Sequence, residues 1–171
     1  MKRIFSGIGL FLFLGYGCAA APPKAEDVSA KILDFGIYNE KVLEIIKDKS
    51  VPGGKRGTVR YSLVEETDKI PAKLGISFGF RYHLSGVPMK SKLKLKRLYF
   101  FPGQGLTDTV KGKTYYKAQL DNELTVRENM EIGYKFEHPW ELVPGKWSFQ
   151  VWYEGKKLAE KTFTVYSGSR P

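Results

Sequence analysis

Apolar and polar residues alternate with a period of two along most of this chain, and a period of 3.6 is rare. In "LGISFGFRYHLSG", Ile76, Phe78, Phe80, Tyr82 and Leu84 share one parity, with Ser77, Gly79, Arg81 and His83 on the other. A half-buried strand reads this way because successive side chains point to opposite faces of a sheet. "RGTVRYSLVEE" repeats the pattern, with Val59, Tyr61 and Leu63 opposed to Arg60, Ser62 and Val64. "KILDFGIYN" places Leu33, Phe35 and Ile37 on one face, with Ile32 and Asp34 on the other. "SKLKLKRLYFFPG" alternates lysine with leucine and then changes parity near Arg97, which predicts a bulge inside that strand.

Three further segments complete the pattern. "KTYYKAQL" (113–120) and "EIGYKFE" (131–137) are β-rich by composition. The best-marked unit closes the chain. Pro144-Gly145 makes an entry turn, and Trp147, Phe149, Val151 and Tyr153 share a face. The chain turns at Glu154-Gly155-Lys156, and "KLAEKTFTV" returns as the last strand. "NEKVLEIIKDK" (39–49) is ambiguous, since Val42, Leu43, Ile45 and Ile46 also fit a helix face. Its short, β-branched cluster favours a strand or an irregular segment.

Seven or eight mainly antiparallel strands bounded by Gly/Pro turns, with no convincing long helix, predict an all-β chain. Sheets that each bury one face stack as a sandwich, here of immunoglobulin-like type. No internal repeat, low-complexity tract or linker divides it, so residues 30–167 read as one β-sandwich domain.

The N-terminus has another character. Met1-Lys2-Arg3 precedes an apolar run from Ile4 to about Leu14, which dissolves into "CAAAPP". A basic start, a short apolar stretch and then small residues form a secretory signal peptide, placed at residues 1–20. Crossing a bilayer would take about 20 apolar residues. Cys18, the single cysteine, stands where a lipobox ends, and its thiol is the candidate lipid-attachment site. The box departs from the usual form, with Leu14 four residues before the cysteine and bulky Tyr16 inside it. The alternative is ordinary cleavage after Ala20, which discards Cys18. Residues 21–29 then form a short tether. Either way the exported domain has no disulfide and relies on a packed core. Periplasm or membrane-anchored envelope is the expected location.

The chain carries 28 Lys plus Arg and 18 Asp plus Glu, a net charge of +10. Without Lys2 and Arg3 the count is 26 against 18, an excess of 8. That balance favours anionic partners such as lipid headgroups, acidic envelope polymers or acidic proteins. Export argues against nucleic acid as the partner. Lys90, Lys92, Lys94 and Lys96 alternate with Met89, Leu93 and Leu95. On a strand this spaces the lysines by about 7 Å along one face. The row suits an anionic ligand, or else guards an edge strand against stray pairing. Trp152 has the parity opposite to Trp147, and Trp140 follows Pro139 in the preceding loop. Either ring is suited to stacking on a sugar or anchoring a protein, and equally to covering an end of the core.

Catalytic chemistry has little to start from. His83 and His138 are the two histidines, and neither has a second ligand at metal spacing. Glu65, Glu66 and Asp68 lack the spacing and the glycine of a calcium loop. "FPGQGLTD" is not a phosphate loop. No catalytic residue, metal site or cofactor is nominated, and a non-enzymatic protein is expected.

Two blocks carry a family resemblance. "ILDFGIY" with "VEETDKIPAKLGISFGFRYHLSGVP", and then "IGYKFEHPWELVPGKWSFQVWYEGKKLAEKTFTV", resemble the bacterial domain-of-unknown-function 3859 family over about residues 32–166. The resemblance implies a shared fold. The family has no assigned activity to transfer. The resulting expectation is an envelope binding module for a protein, an anionic polymer or a lipid surface, held at a membrane if Cys18 is acylated. The alternative is a structural subunit that joins an envelope assembly by edge-strand pairing.

Overall fold

The computed structural model describes residues 22–168 apart from 48, 50, 51, 53 and 54. Cys18 and the predicted signal segment lie outside the described residues. Eleven strands are present among those described: β1 (Ser29–Lys47), β2 (Lys55–Glu66), β3 (Lys69–Pro71), β4 (Ser77–Ser85), β5 (Lys92–Phe100), β6 (Leu106–Asp108), β7 (Lys113–Tyr115), β8 (Lys117–Thr125), β9 (Met130–Lys135), β10 (Gly145–Tyr153) and β11 (Lys156–Tyr166). One sheet has the order β2-β1-β4-β9, the second β3-β11-β10-β5-β8, and β6 and β7 form a separate hairpin. All pairings are antiparallel except the short one between β3 and β11. Three of the strands have only three residues each, too few to leave an alternating pattern. The other eight correspond to the strands predicted from alternation and, for 113–120 and 131–137, from composition.

The ambiguous stretch after Tyr38 is strand, since β1 runs on to Lys47 paired with β2. The predicted segment 113–120 divides at Tyr116 into β7 and the start of β8. In β1 the predicted face is corrected. A register break between Ile32 and Asp34 reverses parity, leaving Leu33 exposed while Ile32, Phe35 and Ile37 pack on the core. The bulge expected in β5 is absent, because its register with β8 and β10 is unbroken. Parity is kept by turning Arg97 to the inner face, where its guanidinium donates to Asn122 Oδ1 at 3.1 Å. Leu98 and Phe100 consequently face outward.

The core lies between the sheets and is dominated by aromatic rings. Phe78 stands at its centre, with the ring centroids of Trp147, Phe149, Phe163 and Phe136 all within 5.7 Å. All five side chains are fully buried. Burying one such side chain contributes roughly 1.5–3 kcal/mol, and a ring pair about 0.5–1.5 more. The indole N–H of Trp147 is satisfied by the Val143 carbonyl at 3.0 Å. Glu154 and Gly155 close the β10–β11 hairpin with φ of 45° and 81°, the left-handed pair that suits the right-handed twist of the strands.

The folded part begins earlier than the predicted tether allows. Tyr153 Oη donates to the Pro23 carbonyl at 2.6 Å. Lys156 Nζ donates to the carbonyls of Ala25, Glu26 and Val28 at 3.2, 3.2 and 2.8 Å. Val28 is fully buried. Residues 23–28 are therefore latched to the β10–β11 hairpin, and the boundary near Ala30 moves back to Pro23. Lys156→Met keeps the aliphatic stem and removes the three bonds. It should lower stability by about 1–2 kcal/mol, read as a shifted urea midpoint at unchanged m. A midpoint equal to wild type would show that the latch carries no stability.

The β1-β4-β9 sheet has an unusual outer face. Gly36, Gly79 and Gly133 are register partners across three adjacent strands. Tyr61 from β2 lies over this row, its Oη 2.8 Å from where a Cβ on Gly133 would stand. Its ring meets that of Tyr38 edge-on at 5.5 Å. Beside them Asp34 accepts from Tyr38 Oη at 2.6 Å and from Arg81 Nε at 2.9 and 3.0 Å. The Arg81 hydrogen bond holds the Asp34 carboxyl below its usual range, against the opposing effect of burial.

Candidate functional site

The candidate site lies on the outer face of the second sheet. An open groove of about 650 Å³ crosses β8, β5 and β10 near the β10–β11 turn. Its position follows from strand parity. With Leu93, Leu95, Arg97 and Tyr99 turned inward, Lys92, Lys94, Lys96 and Leu98 point outward along β5. Trp152 stands beside Lys96 in the register of β10, and Gln150 beside Leu98. Across β8, Glu123 is opposite Lys94 and Asp121 is opposite Lys96.

The groove thus has an apolar floor of Leu98 and Trp152 and walls of both charges. Lys94 and Lys96 face Asp121 and Glu123, and Glu154 adds a third carboxylate at the turn. Lys92, at the end of the row, pairs with Glu123 at 3.3 Å, with both groups well exposed. Such exposed pairs are worth at most about 1 kcal/mol, so these side chains are free to re-pair with a ligand. A lysine row facing an acidic row is a poor platform for a polyanion. It is a better one for a ligand rich in hydroxyl and amide groups, which needs donors and acceptors side by side.

Trp152 is fixed by a hydrogen-bonded chain. Its Nε1 donates to Gln150 Oε1 at 2.8 Å, and Gln150 Nε2 donates to Glu160 Oε1 at 2.8 Å. Glu160 also accepts from Ser148 Oγ at 2.9 Å and pairs with Lys157. The Lys157 hydrogen bond, aided by that from Gln150, holds the Glu160 carboxyl below its usual range. The indole is half-buried with its N–H occupied, so what it offers a ligand is its ring. A side chain held in one orientation before binding loses less entropy on binding.

The structure brings Lys94, Lys96 and Trp152 together, although the sequence presents them as separate features. It does not bring in the rest. Lys90 lies before β5 in a turn, with φ of 65°, and is not part of the strand row. Trp140 does not line the groove; it sits in a short 3-10 turn, Pro139–Glu141, partly buried against the core and stacked on His138 at 5.3 Å. His83 Nδ1 is 3.0 Å from the Glu128 carbonyl. Among the described residues no group of three or more His, Cys, Asp or Glu is placed to hold a metal ion.

Asp121 and Glu123 are the groove residues that sequence reasoning missed. They lie just past the predicted strand end at Leu120. The polar alternation of "QLDNEL" was the available signal.

Two stacked sheets with this pairing and an aromatic core define an immunoglobulin-like β-sandwich protein. A solved structure described as an immunoglobulin-like protein from Pseudomonas aeruginosa shares the fold at a TM-score of 0.60, with 27% identity over 81% of this chain and 96% of that one. The chain belongs to the family described as a domain of unknown function, DUF3859, which matches residues 26–165. Comparison with curated proteins gives no match.

Proposed function

We propose that this protein is an exported, non-catalytic binding module of the bacterial envelope that holds a saccharide chain in the groove across β8, β5 and β10. The observation that carries the reading is the half-buried Trp152, locked by Gln150 beside Leu98 and flanked by lysines and carboxylates in register. The apolar face of a sugar ring stacks on an indole, while its hydroxyls exchange donors and acceptors with Lys94, Lys96, Asp121 and Glu123. The basic excess of the chain supports a location at an anionic surface, and the signal-like start with Cys18 supports export with a lipid anchor. The latch at Pro23 would then hold the groove end of the sandwich close to that anchor.

The test is calorimetric titration with neutral amino-sugar oligosaccharides, at low and at high salt. Binding should be insensitive to salt. Trp152→Ala should weaken it at least about tenfold, equivalent to about 1.4 kcal/mol. Replacing Lys92, Lys94 and Lys96 by glutamine should leave most of the affinity. Affinity for anionic vesicles that vanishes with salt and with the lysines would overturn the saccharide reading in favour of a charged polymer or membrane. Equal binding by Trp152→Ala would remove the groove from consideration.

A further inference from the structure

Both sheets end in strands that are hydrogen-bonded on one side only, and an open edge is a template for another chain. The other three outer strands are shorter or less regular than β8. β3 has three residues and ends in Pro71. β2 pairs with β1 through two register breaks, and β9 has six residues. β8 has none of these. It runs nine residues without proline, in unbroken register with β5, and its far side is open among the described residues.

We infer that β8 is a self-recognition edge, pairing antiparallel with β8 of a second copy of this chain to extend the sheet across a two-fold axis. The occupant is identified by the charge order of the strand. Lys117, Gln119, Asp121 and Glu123 alternate with Ala118, Leu120, Asn122 and Leu124, the first set exposed and Ala118 and Leu120 buried. With the axis at Leu120, Lys117 of each copy lies opposite Glu123 of the other, and Gln119 lies opposite Asp121. Ala118 faces Asn122, and Leu120 meets its own copy on the core side.

Neighbouring registers are poorer. Centring on Asp121 sets that carboxylate against itself, and centring on Gln119 leaves Glu123 beyond the paired strand. A shift by one residue turns the core face of one copy to the outer face of the other. The Lys92 contact to Glu123 is exposed and weak, so it does not prevent the exchange. Asp121 and Glu123 also line the groove, but the inference does not depend on the saccharide reading, because it is argued from the open edge and the charge order of β8. An isologous contact of this kind closes as a dimer.

The experiment is sedimentation of the purified protein over a wide concentration range, with Lys117→Glu, Glu123→Lys and the double exchange. Both positions are exposed, so all variants should keep the wild-type unfolding midpoint within error at concentrations where the wild type is monomeric. Wild type should show a reversible monomer–dimer equilibrium. Each single variant places like charges opposite each other twice and should weaken the dimer at least about tenfold. The double exchange restores the order and should return the affinity to within about threefold of wild type. A wild-type protein that stays monomeric throughout would overturn the inference. So would single variants that dimerise as well as wild type, since the contact would then lie elsewhere.

Discussion

Replacing Glu141 by alanine should cost about 2–4 kcal/mol of stability, although Glu141 does not line the groove. Its side chain is only 3% exposed. Oε1 accepts from Tyr134 Oη at 2.8 Å, and Oε2 accepts from the backbone N–H groups of Glu137 and His138 at 2.6 and 2.8 Å. Alanine would leave three part-buried hydrogen-bond donors without this acceptor. It would also free the turn that carries Trp140 over the end of the core. Burial raises the Glu141 carboxyl above its usual range, against the lowering effect of these hydrogen bonds. The folded state therefore binds this proton more tightly than the unfolded chain does. The corresponding stability is fully present below the ordinary carboxyl range and is lost as pH rises through the raised value. Glu141→Gln imitates the protonated acid, since its carbonyl can take both backbone N–H groups. That variant should stay within about 1.5 kcal/mol of wild type and lose this part of the pH dependence. Urea unfolding of the three proteins from acid to neutral pH reads both effects. A Glu141→Ala protein as stable as the glutamine variant would refute the account.

How much of this was legible in the sequence depended on what broke the alternation. β4 and β10 were plain, because every second residue from Phe78 to Leu84 and from Trp147 to Tyr153 is apolar and buried. β5 was misread at one residue. An arginine on the inner parity looks like a change of face, whereas it is half-buried and its guanidinium donates to Asn122 on a neighbouring strand. The consequence was functional, since the unbroken parity is what turns Leu98 into the floor of the groove. In β1 a register break between Ile32 and Asp34 exchanged the two faces, and no glycine or proline at that point announced it. The lysine row was visible, but the carboxylates opposing it were not, because cross-strand neighbours are set by the pairing of β5 with β8 rather than by nearness in sequence. Glu141 left no signal in the alternation, because its role is set by a local turn that folds its carboxylate back onto Tyr134 and the backbone of Glu137 and His138.

Gly79→Ala should be among the most damaging single-methyl changes in the described strands. A Cβ at this position would stand 2.1 Å from the Ile132 carbonyl oxygen and 2.6 Å from the Gly133 Cα, both backbone atoms that no side-chain rotation can move. The contact arises where Gly79 faces Gly36 on one side and Gly133 on the other. Relief requires β9 to part from β4. That would pull Met130, Ile132 and the Phe78–Phe136 ring contact out of the core. Overpacking in a closed site costs about 1–3 kcal/mol when neighbours can shift. Here the neighbours are strand backbone, so the loss should reach or exceed the upper end of that range. Gly103 is the control, since a Cβ there meets nothing within 4 Å and its backbone is not left-handed. Gly103→Ala should change stability by no more than about 0.5 kcal/mol. Thermal and urea unfolding of the two variants, with near-ultraviolet circular dichroism to report the aromatic core, separate the cases. If Gly79→Ala unfolds at the wild-type midpoint, β9 is not held against β4 as closely as this register requires. The outer face covered by Tyr61 would then be open to a ligand. If the midpoint collapses while Gly103→Ala is silent, the glycine row is a structural seam. The groove on the opposite sheet would then remain the surface on which binding should be sought.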